Sequence, residues 1–231
     1  MKLLDLFCCA GGAATGYARA GFEVTGIDIN PQPRYPFQFQ QADVMSLSVK
    51  FLRTFDAIHA SPPCQGYSAM RTMPSAKETP MLIDQVRALL ERSGRPYVIE
   101  NVEQAGWAMK SPVLLCGTMF GLGTEGCELR RHRLFEANFP LVAPRCQHTG
   151  SPVVGVYGGH ARRRSAKHGG RSTRDIWSAG HRVAMSEALG GMPWATCAEL
   201  SEAIPPAYTE FIGAQLMEYI RGKARTGGRK V

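Results

Sequence analysis

Through the first hundred residues short apolar runs alternate with helix-like segments, and this alternation restricts the fold more than any other feature of the chain. LLDLF (3–7), FEVTGIDI (22–29), the QADV region (41–44), FDAIHA (55–60) and PYVIENV (96–102) read as strands, being β-branched or apolar and bounded by turn residues. GAATGYARAG (12–21) reads as a helix. In PMLIDQVRALLERSG (80–94), Leu82, Val86, Leu89 and Leu90 fall on one helical face. The order predicts an α/β fold, a doubly wound and mostly parallel sheet with helices on both faces. Such sheets bind ligands at the carboxyl ends of their strands.

A length of 231 residues suits one domain with a proper core. No apolar stretch approaches the roughly 20 residues that span a bilayer, and the N-terminal run enters a glycine turn with no cleavage site, so it reads as a strand rather than a signal peptide. Seven cysteines, an odd number in a chain this long, predict free thiols and a reducing cytoplasm. The net charge of +8 favours a polyanionic partner. Much of it lies between Tyr157 and Arg182, where seven Lys or Arg face the single Asp175.

DLFCCAGGAATGY places glycines directly after the first strand and at the start of a helix, where backbone N–H groups approach a ligand closely. At the end of the second strand Asp28 is placed to accept from ribose hydroxyls, and Asp43 after the third could meet an adenine amino group. The pair predicts a nucleoside-containing cofactor. The motif is not GxGxxG, which disfavours a dinucleotide and a dehydrogenase. Ser61-Pro62-Pro63-Cys64-Gln65 ends the fourth strand and Glu100-Asn101-Val102 ends the fifth. Neighbouring strands that end level put a thiol, a carboxyl group and the cofactor turn in one cleft. In LRRHRLF (129–135), strand alternation sends Arg131 and Arg133 to one face, a phosphate or carbonyl site or else a solvated edge.

The ordered set DLFCCAGG, SPPCQGYS, VIENV, RRHR and AIPPAYTEFIG resembles the DNA cytosine-5 methyltransferase family across nearly the whole chain. In detail it is similar to the compact form found in bacteriophages and actinobacteria. The resemblance implies a Rossmann-like sheet, a Cys64 nucleophile, Glu100 as the acid that engages the base, and Arg133 on the cytosine carbonyl with Arg131 in support. It implies an S-adenosylmethionine site lined by Phe7, Gly11, Gly12, Asp28 and Asp43, with Ile29, Val44 and Pro63 beside them. Cys9, Ser201, Glu202 and Ala203 would complete its methionine end. It also implies a loop from Gly66 to Pro80 closing over a flipped nucleotide, with Gln65, Ser68 and Arg71 against the DNA. Tyr157, His160, Arg162, Arg163, Arg164, Lys167, Arg171 and Arg174, with Trp177, would track phosphates or enter a groove.

Three positions depart from the family pattern. Cys9 stands where the first glycine of the cofactor turn usually does, Leu129 replaces a glutamine, and Ser201-Glu202 replaces Gly-Asn. Two of these lie where the donor would bind, which leaves methylene-tetrahydrofolate and a hydroxymethyl product as an alternative. A catalytically silent DNA-binding protein is the third reading. The expected division is a catalytic and cofactor-binding core at 1–139, a small basic DNA-recognition insertion at 140–182, a returning segment at 183–221 and a disordered basic tail at 222–231. A monomeric cytoplasmic enzyme of a bacterial or phage-infected cell, with DNA and no membrane as partner, is expected. Cys116, Cys127, Cys146 and His148 contain one close pair, C-x-H, and no CxxC, so spacing predicts packing cysteines and no metal.

Overall fold

The computed structural model describes residues 1–67, 79–164 and 177–227. The chain runs β1 (Lys2–Leu6), α1 (Gly12–Arg19), β2 (Glu23–Asp28), β3 (Gln38–Gln41), α2 (Val49–Leu52), β4 (Ala57–Ala60), α3 (Ile83–Ser93), β5 (Tyr97–Asn101) and β6 (Val113–Leu115). Then come β7 (Gly123–Thr124), β8 (Cys127–Glu128), β9 (Arg133–Ala137), β10 (Val153–Tyr157), β11 (His160–Arg164), α4 (His181–Ala188), α5 (Cys197–Glu202) and α6 (Pro206–Gly227).

Seven strands form the main sheet in the order β3-β2-β1-β4-β5-β9-β6. β1 to β5 pair in parallel, and β9 runs antiparallel to both its neighbours. The pleat sends successive residues to opposite faces, and both faces are apolar because helices cover both. On one side Leu3, Val24, Ala57 and Val98 pack with Tyr17 of α1 and Tyr208, Ile212 and Leu216 of α6. On the other, Leu4, Ile27, Ile58 and Ile99 pack with Leu52 of α2 and Val86, Leu89 and Leu90 of α3. Ile83, not Leu82, completes the buried face of α3; Leu82 is its N-cap.

The strand expected near Gln41–Val44 lies earlier, at Gln38–Gln41, because the Asp43 carboxylate accepts from the Met45 N–H and starts a helical turn. The glycines of the first turn serve the packing. Gly11 has φ 84°, a left-handed backbone that favours glycine, and a Cβ on Gly12 would collide with the Ile204 carbonyl.

Beyond the main sheet, β11-β10-β8-β7 form a small second sheet. Its core joins Val154, Val156 and Ala161 to Trp177 and to Met185 and Leu189 of the α4 region. Trp177 therefore belongs to the interior: it is buried, and its indole N–H donates to the Ala161 carbonyl at 3.0 Å, away from any groove. The tail expected to be disordered from 222 continues as helix to Gly227, the end of α6.

Candidate active site

β4 ends where its chemistry requires. The Ser61 N–H makes a last ladder bond to the Leu6 carbonyl at 3.1 Å, and Pro62 and Pro63 have no N–H to continue it. The Asn101 side chain donates to the Pro62 carbonyl at 3.0 Å, and the Tyr67 N–H closes the turn on the Cys64 carbonyl at 3.0 Å. The thiol of Cys64 is thus fixed at the carboxyl edge of the sheet, part-buried rather than sealed in the core.

Glu100 and Arg133 meet beside it through strand register. Glu100 lies opposite Phe135 across the β5–β9 pair, which makes Arg133, two residues along β9, its diagonal neighbour on the same face. The guanidinium Nε stands 3.2 Å from the Glu100 carboxylate, with both side chains largely buried. Burial pushes the Glu100 carboxyl above the usual carboxylate range, and the Arg133 charge and a hydrogen bond from Ser61 oppose the shift. Burial also raises the Cys64 thiol, with Glu100 adding to the rise and Arg133 working against it. Each of these two groups therefore acts electrostatically on the sulfur.

Behind Glu100 runs a buried polar chain that sequence patterning does not reveal. The Tyr17 hydroxyl lies 3.0 Å from His59 Nδ1, and His59 Nε2 lies 3.0 Å from Ser61 Oγ. With Tyr17 donating, the ring proton sits on Nε2 and points to Ser61, whose hydroxyl in turn donates to Glu100. His59 is fully buried, and that burial lowers its pKa to about 3, so the imidazole is neutral. Its signal was a histidine inside the apolar run FDAIHA, indistinguishable by period from a packed side chain.

Arg131 lies just ahead of β9, which begins at Arg133, and its buried charge also acts on Glu100. Its guanidinium donates to the carbonyls of Val156 at 2.9 Å and Ser201 at 2.6 Å and lies under the Tyr157 ring, 5.6 Å from guanidinium carbon to ring centroid. It ties the small sheet to α5. Ser201 is also committed there: its hydroxyl accepts from the Gly159 N–H and donates to the Cys197 carbonyl. Ala203, Val44 and Leu129 are buried in the packing rather than on the rim.

On the cofactor side, each Asp28 oxygen accepts one backbone N–H, from Asn30 at 2.9 Å and Cys9 at 3.1 Å. A carboxylate oxygen accepts two hydrogen bonds, so one acceptor place per oxygen remains for ligand hydroxyls. Ile29, next to it, exposes 61% of its surface and offers an apolar face. The N-terminus of α1 carries no side-chain cap. These groups fit a nucleoside. Phe7 and Cys9 both have left-handed φ, 58° and 43°, a backbone conformation that favours glycine. The Glu202 charge opposes deprotonation of both the Cys9 and the Cys64 thiols, behind the larger effect of burial. Asp43 is exposed nearby, and Pro63 is part-buried.

Of the residues expected against DNA, Tyr157, His160, Arg162 and Arg163 are exposed on the β10–β11 hairpin, and Gln65 is exposed beside Cys64. Arg164 ends β11. Ser68, Arg71, Lys167, Arg171 and Arg174, and most of the Gly66–Pro80 loop, lie outside the described residues. Cys116, His132, Cys146 and His148, which spacing did not group, come together with their ligand atoms all within 4.8 Å of one another.

The doubly wound sheet thus carries the Cys64 thiol, the Glu100 acid and Arg133 at the strand ends, with Asp28 at the end of β2. Residues 1–110 match the model of the C-5 cytosine-specific DNA methylase family. It is 31% identical over 120 residues to the type II methyltransferase M1.HphI of Haemophilus parahaemolyticus, a stretch covering 44% of this chain and 32% of that one. It is 26% identical over 117 residues to the type II methyltransferase M.HgiGI of Herpetosiphon aurantiacus, covering 46% of this chain and 93% of that one. The fold matches Dnmt2 methyltransferase from S. pombe with a TM-score of 0.58 at 12% identity, over 95% and 99% of the two chains. It also matches a DNA modification methyltransferase encoded within a prophage of E. coli, with a TM-score of 0.57 at 15% identity over 96% and 99% of the two chains.

Proposed function

We propose that this chain is a DNA cytosine-5 methyltransferase that works through a covalent bond between Cys64 and the base. The observation that carries this reading is the placement of the part-buried Cys64 thiol under the combined influence of the Glu100–Arg133 pair.

The chemistry follows from the base. Carbon 5 of cytosine is too electron-poor to attack a methyl donor directly. The Cys64 thiol gives its proton to solvent, the thiolate adds to carbon 6, and the displaced electron pair moves toward ring nitrogen 3 and the carbonyl oxygen. Glu100, held in its protonated direction by burial, donates to nitrogen 3. Arg133 pairs with the carbonyl oxygen, and both act in a site of low dielectric. S-adenosylmethionine, when bound, supplies the methyl group that carbon 5 takes up. Asp28 and Ile29 would hold its nucleoside. Loss of the carbon 5 proton to a base and elimination of Cys64 then restore both partners. The nucleotide reaches this cleft only by leaving the stack, at a cost of a few kcal/mol. The exposed Arg162 and Arg163 would offset part of that cost through phosphate contacts.

No observation among the described residues favours methylene-tetrahydrofolate as donor, and an ion-paired acid and arginine beside an accessible thiol argue against a silent scaffold. The test is transfer of a labelled methyl group from S-adenosylmethionine to DNA, read by nucleoside mass spectrometry. 5-Methylcytosine, lost in Cys64→Ala, is expected; transfer that persists in that variant rejects the mechanism.

A further inference from the structure

We propose that Cys116, His132, Cys146 and His148 bind a zinc ion that fastens the arginine strand to the segment leading into the β10–β11 hairpin. The four come from three separate places. Cys116 follows β6, His132 immediately precedes β9, and Cys146 and His148 lie in the irregular stretch 138–152 between β9 and β10. One ligand atom from each falls within 4.8 Å of all the others.

The distances suit a tetrahedral ion. Zinc–sulfur and zinc–nitrogen bonds of about 2.3 and 2.0–2.1 Å imply tetrahedral edges of roughly 3.3–3.8 Å between ligand atoms. Cys116 Sγ lies 3.4 Å from His148 Nε2, and Cys146 Sγ lies 3.7 Å from His132 Nε2. Two thiolates and two imidazoles form a neutral site for a divalent cation, and a soft sulfur-nitrogen set at tetrahedral spacing selects zinc over magnesium or calcium.

The surrounding groups also fit. His132 turns its other nitrogen, Nδ1, to the Glu103 carboxylate at 3.2 Å, the arrangement that orients a metal-bound imidazole and fixes its tautomer. Cys116 Sγ has the Thr118 hydroxyl at 3.2 Å. The rings of His132 and His148 stack at 5.7 Å. A stretch of fifteen residues without regular structure is unusual inside a compact domain unless something holds it. Here Thr118 accepts from the Gln147 N–H and Glu128 from the Thr149 N–H, bracketing the two ligands.

Binding displaces one proton from each thiol to solvent and forms four metal–ligand bonds, with no redox change. Since His132 lies between Arg131 and Arg133, and its carbonyl accepts from the Arg133 guanidinium at 2.8 Å, the ion would steady the entry of the arginine that faces Glu100. This site is independent of the identity of the methyl donor.

The test is zinc content of the full-length protein, purified without chelator under a thiol reductant, by plasma mass spectrometry. About one ion per chain is expected. Cys146→Ser and His148→Ala should lose it, while Cys197→Ser, at a part-buried cysteine outside the cluster, should keep it. Should the ligand variants fold poorly, the zinc-stripped native chain titrated with cobalt should show tetrahedral d–d bands and thiolate-to-cobalt charge transfer. Hydrogen exchange across 138–152 should quicken on stripping. Substoichiometric zinc with an octahedral cobalt spectrum, retention of the ion by the ligand variants, or a Cys116–Cys146 disulfide in the reduced preparation would each overturn the proposal.

Discussion

Replacing His59 with glutamine should flatten the acid side of the protein's stability profile. The buried imidazole has its pKa lowered from an ordinary 6.5 to about 3, so the folded state takes up a proton only in strong acid, while the unfolded chain takes one up near 6.5. Its contribution to stability is therefore complete above the unfolded value and is lost as pH falls toward the folded one. Integrating the linkage from about pH 7.5 to about pH 5 gives a loss of about 2 kcal/mol from this residue. For a domain of this size that is about 4–8 °C in Tm. His59→Gln keeps a donor and an acceptor between Tyr17 and Ser61 but removes the titration. The assay is chemical denaturation of both proteins at the two pH values, and the quantity read is the difference between their pH-induced losses. Taking the difference matters because buried Asp5 pulls the wild-type profile the other way. Glutamine at 59 should lower stability at neutral pH yet erase about 2 kcal/mol of the acid-induced loss. Parallel pH profiles for the two proteins would show that His59 is not the buried neutral group described.

Other perturbations reach different parts of the structure. Burial raises the Asp5 carboxyl to about 8 from 3.8, so its cost is absent below the unfolded value and grows as pH rises through this window; Asp5→Asn should raise Tm more at pH 8 than at pH 5 in thermal scans. Glu136 sits in the interior with Arg87 Nε at 2.6 Å and the Lys110 N–H at 2.7 Å, so Glu136→Ala leaves the buried guanidinium with only the exposed Asp84 and the Ala108 carbonyl and should cost about 3 kcal/mol by urea denaturation. Glu100→Gln removes the proton donor to the base and should slow single-turnover methylation by about a hundredfold or more, with DNA binding in gel shift little changed.

The α/β order was legible because each strand is short, apolar and punctuated, and Cys64 and Glu100 were set at one sheet edge because motif and strand end coincide. Arg133 was placed by a period of two that β9 obeys; Arg131 precedes β9, and alternation did not reveal that its guanidinium is held by the Val156 and Ser201 carbonyls. Ser201 and Trp177 drew functional readings from neighbouring motifs and charges, whereas their polar atoms satisfy backbone groups of the small sheet. His59 and the four-ligand cluster escaped for a common reason. Each depends on partners distant in sequence, His59 on Tyr17 and Cys116 on His148, and local spacing contains no record of which segments the fold brings together.

The bond between Cys64 and carbon 6 of an extruded cytosine is open to direct capture with duplex DNA carrying 5-fluorocytosine. Fluorine cannot leave as the carbon 5 proton does, so a methylated adduct stays attached to the protein. With S-adenosylmethionine present, denaturing electrophoresis and peptide mass spectrometry should find one DNA strand linked to the peptide containing Cys64, and none in Cys64→Ala. A link at another cysteine, or normal 5-methylcytosine formation on ordinary DNA with no trapped complex on the fluorinated one, would contradict the account.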